Sequence, residues 1–455
     1  MEIQDQNQKP MQQPSALSNF FQSSTVKIIM IGMLTLVLLI PLEFVKSLIF
    51  ERSERQKEVV TEINNKWGED VYFYGPILKV PYTLYNETKL VDEKTKKVTI
   101  QRSESTEYSY FFPDQLNADL SVNTQQKNRN NYESVVYTSK MDFKGNYSLP
   151  NFSSQSILNE NIHWDKASIV IKTNTIKSIT GSVTVSIDGK KYTFEPVQNT
   201  NERDTVSTLE TSAFNIKNAF ATGPAAFDLT INYKGSEQIK IVPIGKITQA
   251  KMTSNWPSPS FDGNFLPETN SITKDGFSAL WKISHLNRSF GQQHFGNLPN
   301  LAEYSFDVKF LIPVDQYQQN ERAAKYGFLV IGLTFLIFFL IQSVSKITIH
   351  IFQYSMIGLA LIMFYTLLIS ITEHSSFRLA YIIAGLSVIA MITLYSISIL
   401  KNKKFAGFIA IALSALYSFI YVIIQLENYA LLVGSIGLFL ILGAVMYFSR
   451  KIEWK

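Results

Sequence analysis

Long apolar segments lie at both ends of this chain, and a polar sequence with alternating apolar residues fills the region between them. Residues 26–42 are apolar apart from Lys27 and Thr35, and residues 44–45 extend the segment to the ~20 residues that cross a bilayer. Five further apolar segments of similar length close the chain, at 326–341, 353–371, 380–400, 405–426 and 429–448. The pattern predicts six membrane-spanning helices, one before the polar region and five after it.

The first apolar segment has two interpretations, a cleaved signal peptide and a retained membrane anchor. It is short and follows a basic residue, as in a signal peptide, but no small-x-small cleavage site comes after Pro41. We therefore expect a retained first span at 26–45. Residues 46–67 continue with helix-forming residues that include no Gly or Pro, which predicts an amphipathic juxtamembrane helix that ends before Gly68.

The polar region between the first and second spans, residues 68–322, has the pattern of a large β-rich domain. Two alternating runs, 182–187 and 190–194, flank Asp188-Gly189, a dipeptide that favours a type I′ turn and predicts a hairpin. Residues 92–97 have the composition of a charged hairpin tip. Further strand-like runs lie at 108–112, 134–138, 227–233 and 306–311.

The distribution of charge orients the predicted helices. Lys and Arg concentrate in the cytoplasmic connections of membrane proteins. Positive connections alternate here with acidic ones, so both termini are expected in the cytoplasm and residues 46–322 in the periplasm. Residues 1–25 are rich in Gln and Asn and predict a flexible cytoplasmic tail, the five later spans form a bundle over 323–448, and residues 449–455 form a basic cytoplasmic tail.

Composition excludes several classes of protein. The 455 residues are 46% hydrophobic and 17% charged, and the apolar residues concentrate in the spans, which excludes a single soluble enzyme. The net charge of +5 is spread along the chain without a basic tract, so nucleic acid is not an expected partner. Cysteine is absent, which excludes disulfides, thiolate nucleophiles and metal sites that depend on sulfur.

No motif for catalysis or cofactor binding occurs in the sequence. It contains no H-E-x-x-H, no G-x-S-x-G and no glycine-rich phosphate loop. His285 and His294 lie nine residues apart, and they would form a metal pair only if folding brought them together. The alternative, ordinary surface or hydrogen-bonded histidines, is preferred. We expect no catalytic, cofactor or metal site.

Several segments in a fixed order along the chain carry distinctive residues, namely Trp67-Gly68, 75–82 (GPILKVPY), 132–137, 256–267 (WPSPSFDGNFLP), 276–281, 313–317, 322–326, 333–335, 353–360 and Glu373-His374. Together these segments resemble the CreD family of bacterial inner-membrane proteins, which is associated with cell-envelope integrity and colicin tolerance. The resemblance covers almost the whole chain after the tail. One departure is Ile351, which follows His350 where the family usually has proline.

Six residues are candidates for a functional role. Trp256 and Trp281 belong to a block of prolines, glycines and aromatics that suits either a packed loop or a platform for a glycan or peptide. Glu373 and His374 end the third predicted span, where they form either a solvated helix cap or a sensor of external pH. If the pair is a pH sensor, Arg322 or Lys325 is the proposed partner of Glu373.

The resemblance implies a non-enzymatic inner-membrane protein that supports envelope integrity, with a role in envelope stress and colicin tolerance. The main alternative is a transporter or export component, followed by an envelope-stress sensor and then by an enzyme acting on lipid or cell wall. The expected partners are the lipid bilayer and either other envelope proteins or cell-wall components. These patterns carry no signal of oligomeric state.

Overall fold

The computed structural model of this chain describes residues 24–91, 98–129, 131–155, 157–198, 206–221, 223–312, 316–345, 347–426 and 429–450. The predicted hairpin tip at 92–97 lies outside these ranges, as do nearly all of the two predicted tails. The chain divides into two compact units. We call Met1–Lys57 with Val314–Lys455 the membrane unit, and Glu58–Pro313 the β domain.

Six of the described helices are long and apolar enough to cross a membrane, one at the N-terminal side of the β domain and five after it. This confirms the predicted one-plus-five arrangement. The first is one unbroken helix of 44 residues, so the anchor and the juxtamembrane segment are a single element. The helices are α1 (Ser24–Trp67), α2 (Gln316–Lys325), α3 (Gly327–Ser345), α4 (Ile351–Thr372), α5 (Phe377–Leu400), α6 (Lys403–Gln425) and α7 (Ala430–Ser449), and α2 is the short one.

Directly before Ile351, where the sequence departs from the CreD pattern, the N-cap of α4 is His350. Its ring Nδ1 accepts a hydrogen bond from the N–H of Phe352 at 3.2 Å, and Gln353 Oε1 accepts one from the N–H of His350 at 2.9 Å. Two N–H groups that have no partner inside the helix are thereby satisfied. The imidazole and Gln353 therefore form a capping box where a proline would otherwise begin the helix.

Large apolar side chains form the buried face of α6. Ala406, Ala410, Ser414 and Ser418 recur every four residues and predict close packing of small side chains. Of these four, Ala406 is buried, whereas Ser414 and Ser418 are exposed. The buried face instead follows Ile409, Leu413, Leu416 and Ile420, which recur at helical spacing.

The β domain contains sixteen strands in its described part. Their bounds are β1 (Val71–Val91), β2 (Val98–Phe111), β3 (Gln115–Arg129), β4 (Tyr132–Tyr147), β5 (Ser168–Thr173), β6 (Thr184–Ile187), β7 (Lys190–Val197), β8 (Ser207–Thr211), β9 (Ala225–Ser236), β10 (Gln238–Ile241), β11 (Ile247–Ser254), β12 (Pro259–Gly263), β13 (Thr269–Thr273), β14 (Gly276–Ser284), β15 (Gln293–Phe295) and β16 (Phe306–Phe310). The predicted strands are all present within this set.

The sheet has two halves that meet in β7. The first residues of β7 pair with β6, and its last residues, Phe194–Val197, pair with β8. One half follows the order β12-β16-β10-β1-β5-β8, with β2 and β15 beside β1, and the other follows β6-β9-β4-β3-β11-β14-β13. The β6–β7 turn confirms the predicted hairpin, because Asp188 and Gly189 have φ of 47° and 77°, as a type I′ turn requires.

One hydrophobic core lies between the two halves of the sheet. Phe73 of β1 stacks on Phe143 of β4, with ring centroids 4.2 Å apart. The buried tyrosines of the second half donate hydrogen bonds to the first, Tyr147 to the carbonyl of Pro76 at 3.0 Å and Tyr137 to the carbonyl of Gln238 at 2.7 Å. Burying a hydroxyl is costly unless it is hydrogen bonded, so these bonds also specify how the halves align.

The last turns of α1 are part of the β domain. Asn64 is buried, and its amide group donates to Glu237 Oε1 at 2.7 Å and accepts from Ser134 Oγ at 2.6 Å. The indole N–H of Trp67 donates to the carbonyl of Tyr137 at 3.2 Å. Gly68 then ends the helix, as predicted, at a point where a Cβ atom would lie 2.2 Å from the backbone oxygen of Lys234.

Asp307 is a buried carboxylate in the β domain, with 8% of its surface exposed. It accepts hydrogen bonds from Ser305 Oγ at 2.6 Å and from Gln238 Nε2 at 3.0 Å. Burial raises the pKa of Asp307, because removal from water penalises the charged form more than these contacts favour it. A pKa that is higher in the folded than in the unfolded state means that the ionised group destabilises the fold.

We expect Asp307→Asn to raise the Tm of the protein at neutral pH. The gain should shrink as pH falls through the raised pKa of Asp307, because the wild-type group then becomes neutral and its penalty disappears. Thermal unfolding between neutral and acidic pH measures this. The control is Asp142→Asn, at a carboxylate whose pKa is held below its ordinary value by hydrogen bonds from Lys140 and Thr230 that outweigh partial burial, so this change should not raise Tm. Equal responses of both variants would contradict the assignment.

Candidate functional site

Trp256 and Trp281 lie in the core of the β domain. Trp281 is fully buried, stacks on Phe306 at a centroid distance of 4.8 Å and donates its indole N–H to the carbonyl of Phe265 at 3.1 Å. Trp256 is 8% exposed and donates to the carbonyls of Ser258 and Leu311 at 3.1 and 3.0 Å. Both rings are therefore occupied by packing, and they leave little ring surface for a glycan or peptide.

Glu373 ends α4 within the membrane unit and faces α1. Its Oε1 lies 3.4 Å from Nε of Arg52, with 22% of the Glu373 side chain and 45% of the Arg52 side chain exposed. A carboxylate at a helix C-terminus is disfavoured by the helix dipole, so a nearby cation offsets an unfavourable interaction. Arg52 is a partner that the sequence analysis did not propose, because the two residues lie 321 positions apart in the chain.

The other candidates of the membrane unit occupy different environments. His374 follows Glu373 and is exposed, with its N–H bonded to the carbonyl of Ile371 at 3.0 Å. Arg322 is half-buried on α2, and Lys325 is exposed in the last turn of that helix. The structure thus joins Glu373 to Arg52, whereas the sequence analysis proposed Arg322 or Lys325.

We expect Arg52→Gln to destabilise the membrane unit more than Glu373→Gln does. The first change leaves a carboxylate unpaired at the end of α4, whereas the second removes the carboxylate and its repulsion by the helix dipole together. Both effects should stay below about 1 kcal/mol because the pair is partly exposed. Thermal unfolding of the purified chain in detergent, with the double variant to complete a cycle, measures the coupling. Equal losses from the two single variants would contradict this account.

A groove that sequence reasoning missed crosses the solvent-facing side of β3, β4, β9, β11 and β14. Its volume is about 630 Å³. Charged side chains of both signs line it, namely Asp119, Lys140, Asp142, Lys144, Asp228 and Lys251, together with Asn117, Thr230 and Gln249. Every second residue of a strand points to the same face, so the pairing of five strands gathers these side chains from distant parts of the chain.

The charges of the groove are partly paired with one another. Lys140 Nζ lies 2.8 Å from Asp142 Oδ2, and Lys144 Nζ lies 3.2 Å from Asp228 Oδ2. Asp119 is directly opposite Asp142 on β4 and opposite Lys251 on β11. Partial burial raises the pKa of Asp142, but hydrogen bonds from Lys140 and Thr230 outweigh this and hold its pKa below the ordinary value. The groove therefore presents fixed positive and negative charges a few ångströms apart.

Two histidines of the β domain, His294 and His163, have separate hydrogen-bond partners, whereas the buried ring Nδ1 of His285 has none within the described part of the chain. His294 Nε2 lies 3.1 Å from the carbonyl oxygen of Gly291, and burial lowers the pKa of His294. His163 Nε2 lies 2.8 Å from Thr83 Oγ1. Among the residues that the structure describes, no group of three His, Asp or Glu side chains has the geometry to hold a metal ion.

The similarity of this chain to known proteins identifies its family. Residues 23–455 match the family model described as "Inner membrane protein CreD". The chain is also 29% identical, over 426 residues, to the inner membrane protein CreD of Escherichia coli (strain K12), covering 92% of this chain and 91% of that protein. The chain belongs to the CreD family.

The segments that resemble CreD are distributed over both units of this CreD-family protein. Trp67-Gly68 closes α1, and the GPILKVPY segment forms the part of β1 that runs through the core. The WPSPSF segment leads into β12 beside the buried Trp256, and Glu373-His374 follows α4. Most of these CreD-like residues are thus placed where packing or helix ends constrain them, whereas Leu280 is the one groove-lining residue that falls within these segments.

Proposed function

We propose that this CreD-family protein supports cell-envelope integrity without catalysis, as an inner-membrane anchor for a binding domain. In this proposal the six helices hold the β domain in the periplasm, and the groove on β3, β4, β9, β11 and β14 binds a component of the envelope. The observation that carries the proposal is the clustering of three lysines and three aspartates in one open groove.

The chemistry of the groove suits a ligand with amines, carboxylates and amides. The ammonium group of Lys251 can bind a carboxylate, and the carboxylate of Asp119 can bind an amine. Lys144 and Asp228 pair with each other, but both side chains are exposed and can also contact a ligand. Asn117 and the neighbouring amide and hydroxyl groups can bond to peptide units. A peptide-bearing envelope component, either a protein segment or the peptide part of the cell wall, has this set of groups. Fixed charges of both signs favour such a ligand over a uniformly charged polymer.

A deletion strain tests the proposal. The strain should become sensitive to detergents, cell-wall antibiotics and colicins, and the wild-type chain should restore resistance. Charge reversal at two groove positions, Lys144→Glu with Lys251→Glu, should fail to restore it at normal membrane levels, because the electrostatic pattern of the groove is inverted. The matched control is Lys190→Glu with Lys274→Glu, at two lysines of the same domain outside the groove.

Different outcomes separate this function from its alternatives. Loss of uptake or export of one solute, with unchanged resistance to envelope stress, would favour the transporter. Full complementation by the groove variant would contradict a role of the groove. Colicin tolerance in the deletion strain without a general loss of resistance would place the protein in colicin entry rather than in envelope maintenance.

A further inference from the structure

The hairpin formed by β1 and β2 extends beyond the rest of the sheet as a two-stranded arm. Nine cross-strand pairs, from Thr83↔Thr106 to Val91↔Val98, continue it for roughly 30 Å. The side chains of residues 84–87 and 100–104 are exposed. Among the described strands, none pairs with β1 or β2 along this arm except these two with each other.

Such an arm has two free edges and little stability of its own. A two-stranded hairpin is marginally stable in water, and an unpaired strand edge is a template for another strand. One cross-strand ion pair supports the arm, between Arg102 Nε and Glu87 Oε1 at 2.7 Å. The exposed backbone groups therefore favour a partner that adds a strand.

The edge of β2 has a defined set of free backbone groups. At the base of the arm, Gly296 donates its N–H to the carbonyl of Tyr108, and Phe112 donates to the carbonyl of Gln292, so these even-numbered residues point away from β1. The pairing of β1 with β2 is regular. Because backbone direction alternates along a strand, Arg102 and Glu104 also present their N–H and C=O groups to the free edge.

The order of charges on this edge is complementary to itself in one register. If β2 of two copies pairs antiparallel with Ser103 opposite Ser103, Arg102 of each copy lies directly opposite Glu104 of the other. A shift of the centre to residue 102 places arginine against arginine, and a shift to residue 104 places glutamate against glutamate. Opposite charges stabilise directly facing strand pairs and like charges destabilise them, so the charges select the register centred on Ser103.

We propose that the free edge of β2 binds a second copy of this chain, in an antiparallel two-fold pairing centred on Ser103. The contact is isologous, because each copy supplies the same strand. The two arms then form one four-stranded sheet in which Arg102 and Glu104 of facing strands exchange backbone hydrogen bonds. Both copies are confined to the same membrane, and confinement raises the effective concentration of a contact that buries little surface.

Introduced cysteines test this register without background, because the chain contains no cysteine. Ser103→Cys in the full-length protein, oxidised in membranes with copper–phenanthroline, should give a disulfide-linked dimer of twice 51.7 kDa. In a non-hydrogen-bonded antiparallel pair the Cα atoms are ~4.5 Å apart, which a disulfide accommodates. Gln101→Cys should give on the order of tenfold less dimer, because its two copies would be ~14 Å apart.

Two further measurements decide between this pairing and other occupants of the edge. Mixing Gln101→Cys with Ser105→Cys should restore cross-linking, because residues 101 and 105 face each other in the proposed register. Adding Glu104→Arg to Ser103→Cys should reduce the dimer several-fold, while the Glu87–Arg102 pair of the hairpin stays intact. The proposal is overturned if Ser103→Cys stays monomeric, links to a different protein, or cross-links no better than Gln101→Cys.

Discussion

Replacement of Trp281 by Ala is expected to lower the free energy of unfolding of the β domain by about 3–5 kcal/mol. The side chain is fully buried, stacks on Phe306 and meets Phe261 edge-on at a centroid distance of 5.8 Å. Its removal would leave a cavity and also free the carbonyl of Phe265, which accepts the indole N–H. The loss is measured by unfolding the purified full-length chain in urea and using proteolysis of the β domain to detect the unfolded fraction.

Two variants control this experiment. Trp281→Phe keeps most of the ring contacts and loses the hydrogen bond, so it should cost less than the alanine variant. Leu286→Ala removes a side chain that is 83% exposed, and its effect should stay within about 0.5 kcal/mol. An unchanged urea midpoint for Trp281→Ala would show that the ring is not part of the stabilising core.

The second large effect concerns membrane topology, because an introduced cysteine should be either fully labelled or not labelled, depending on the side of the membrane where it lies. The proposed orientation places the α5–α6 connection in the cytoplasm and the α4–α5 connection outside it, because positive residues concentrate in the first. In intact spheroplasts, an impermeant thiol reagent should label Ser375→Cys and leave Lys403→Cys unlabelled. Lys403 is exposed, and its substitution leaves Asn402, the N-cap of α6, unchanged.

Permeabilised cells supply the control for this topology. Both cysteines should react once the membrane is opened, and the unmodified chain should not react at all because it contains no cysteine. Labelling of Lys403→Cys in intact spheroplasts would reverse the proposed orientation. The β domain would then lie in the cytoplasm, and the proposed role in the periplasm would fail with it.

Local and periodic features of this protein were readable from its sequence. A helix that crosses a bilayer needs about 20 apolar residues, so the length of each apolar segment was enough to locate the six helices. The Asp188-Gly189 turn was also local, since few dipeptides accept positive φ at both positions. The predicted strand at 227–233 carries the same kind of signal, because Phe227, Leu229 and Ile231 alternate with polar residues and are buried.

The packing partners of single side chains were only partly readable. A tryptophan within a Pro- and Gly-rich block suggests a buried ring, but the block does not say which aromatic lies against it. Phe306 stacks on Trp281 because β16 and β14 belong to different halves of the sheet that enclose one core. The small-residue pattern on α6 was misleading, since spacing defines a face of a helix but not which face its neighbours cover.

Features assembled from distant positions were decided by the tertiary structure alone. Arg52 and Glu373 meet because α1 and α4 pack together within the membrane unit, and neither residue has a local signal of that contact. The groove collects charged residues between positions 119 and 251 through the pairing of β3 with both β4 and β11. The sequence thus determined the helices and strands, and whether each is suited to lipid or to water, through the periodicity of its side chains and the length of its apolar segments. Strand order and register determined which charges became neighbours, because they depend on long-range pairing whose energy is shared among many residues.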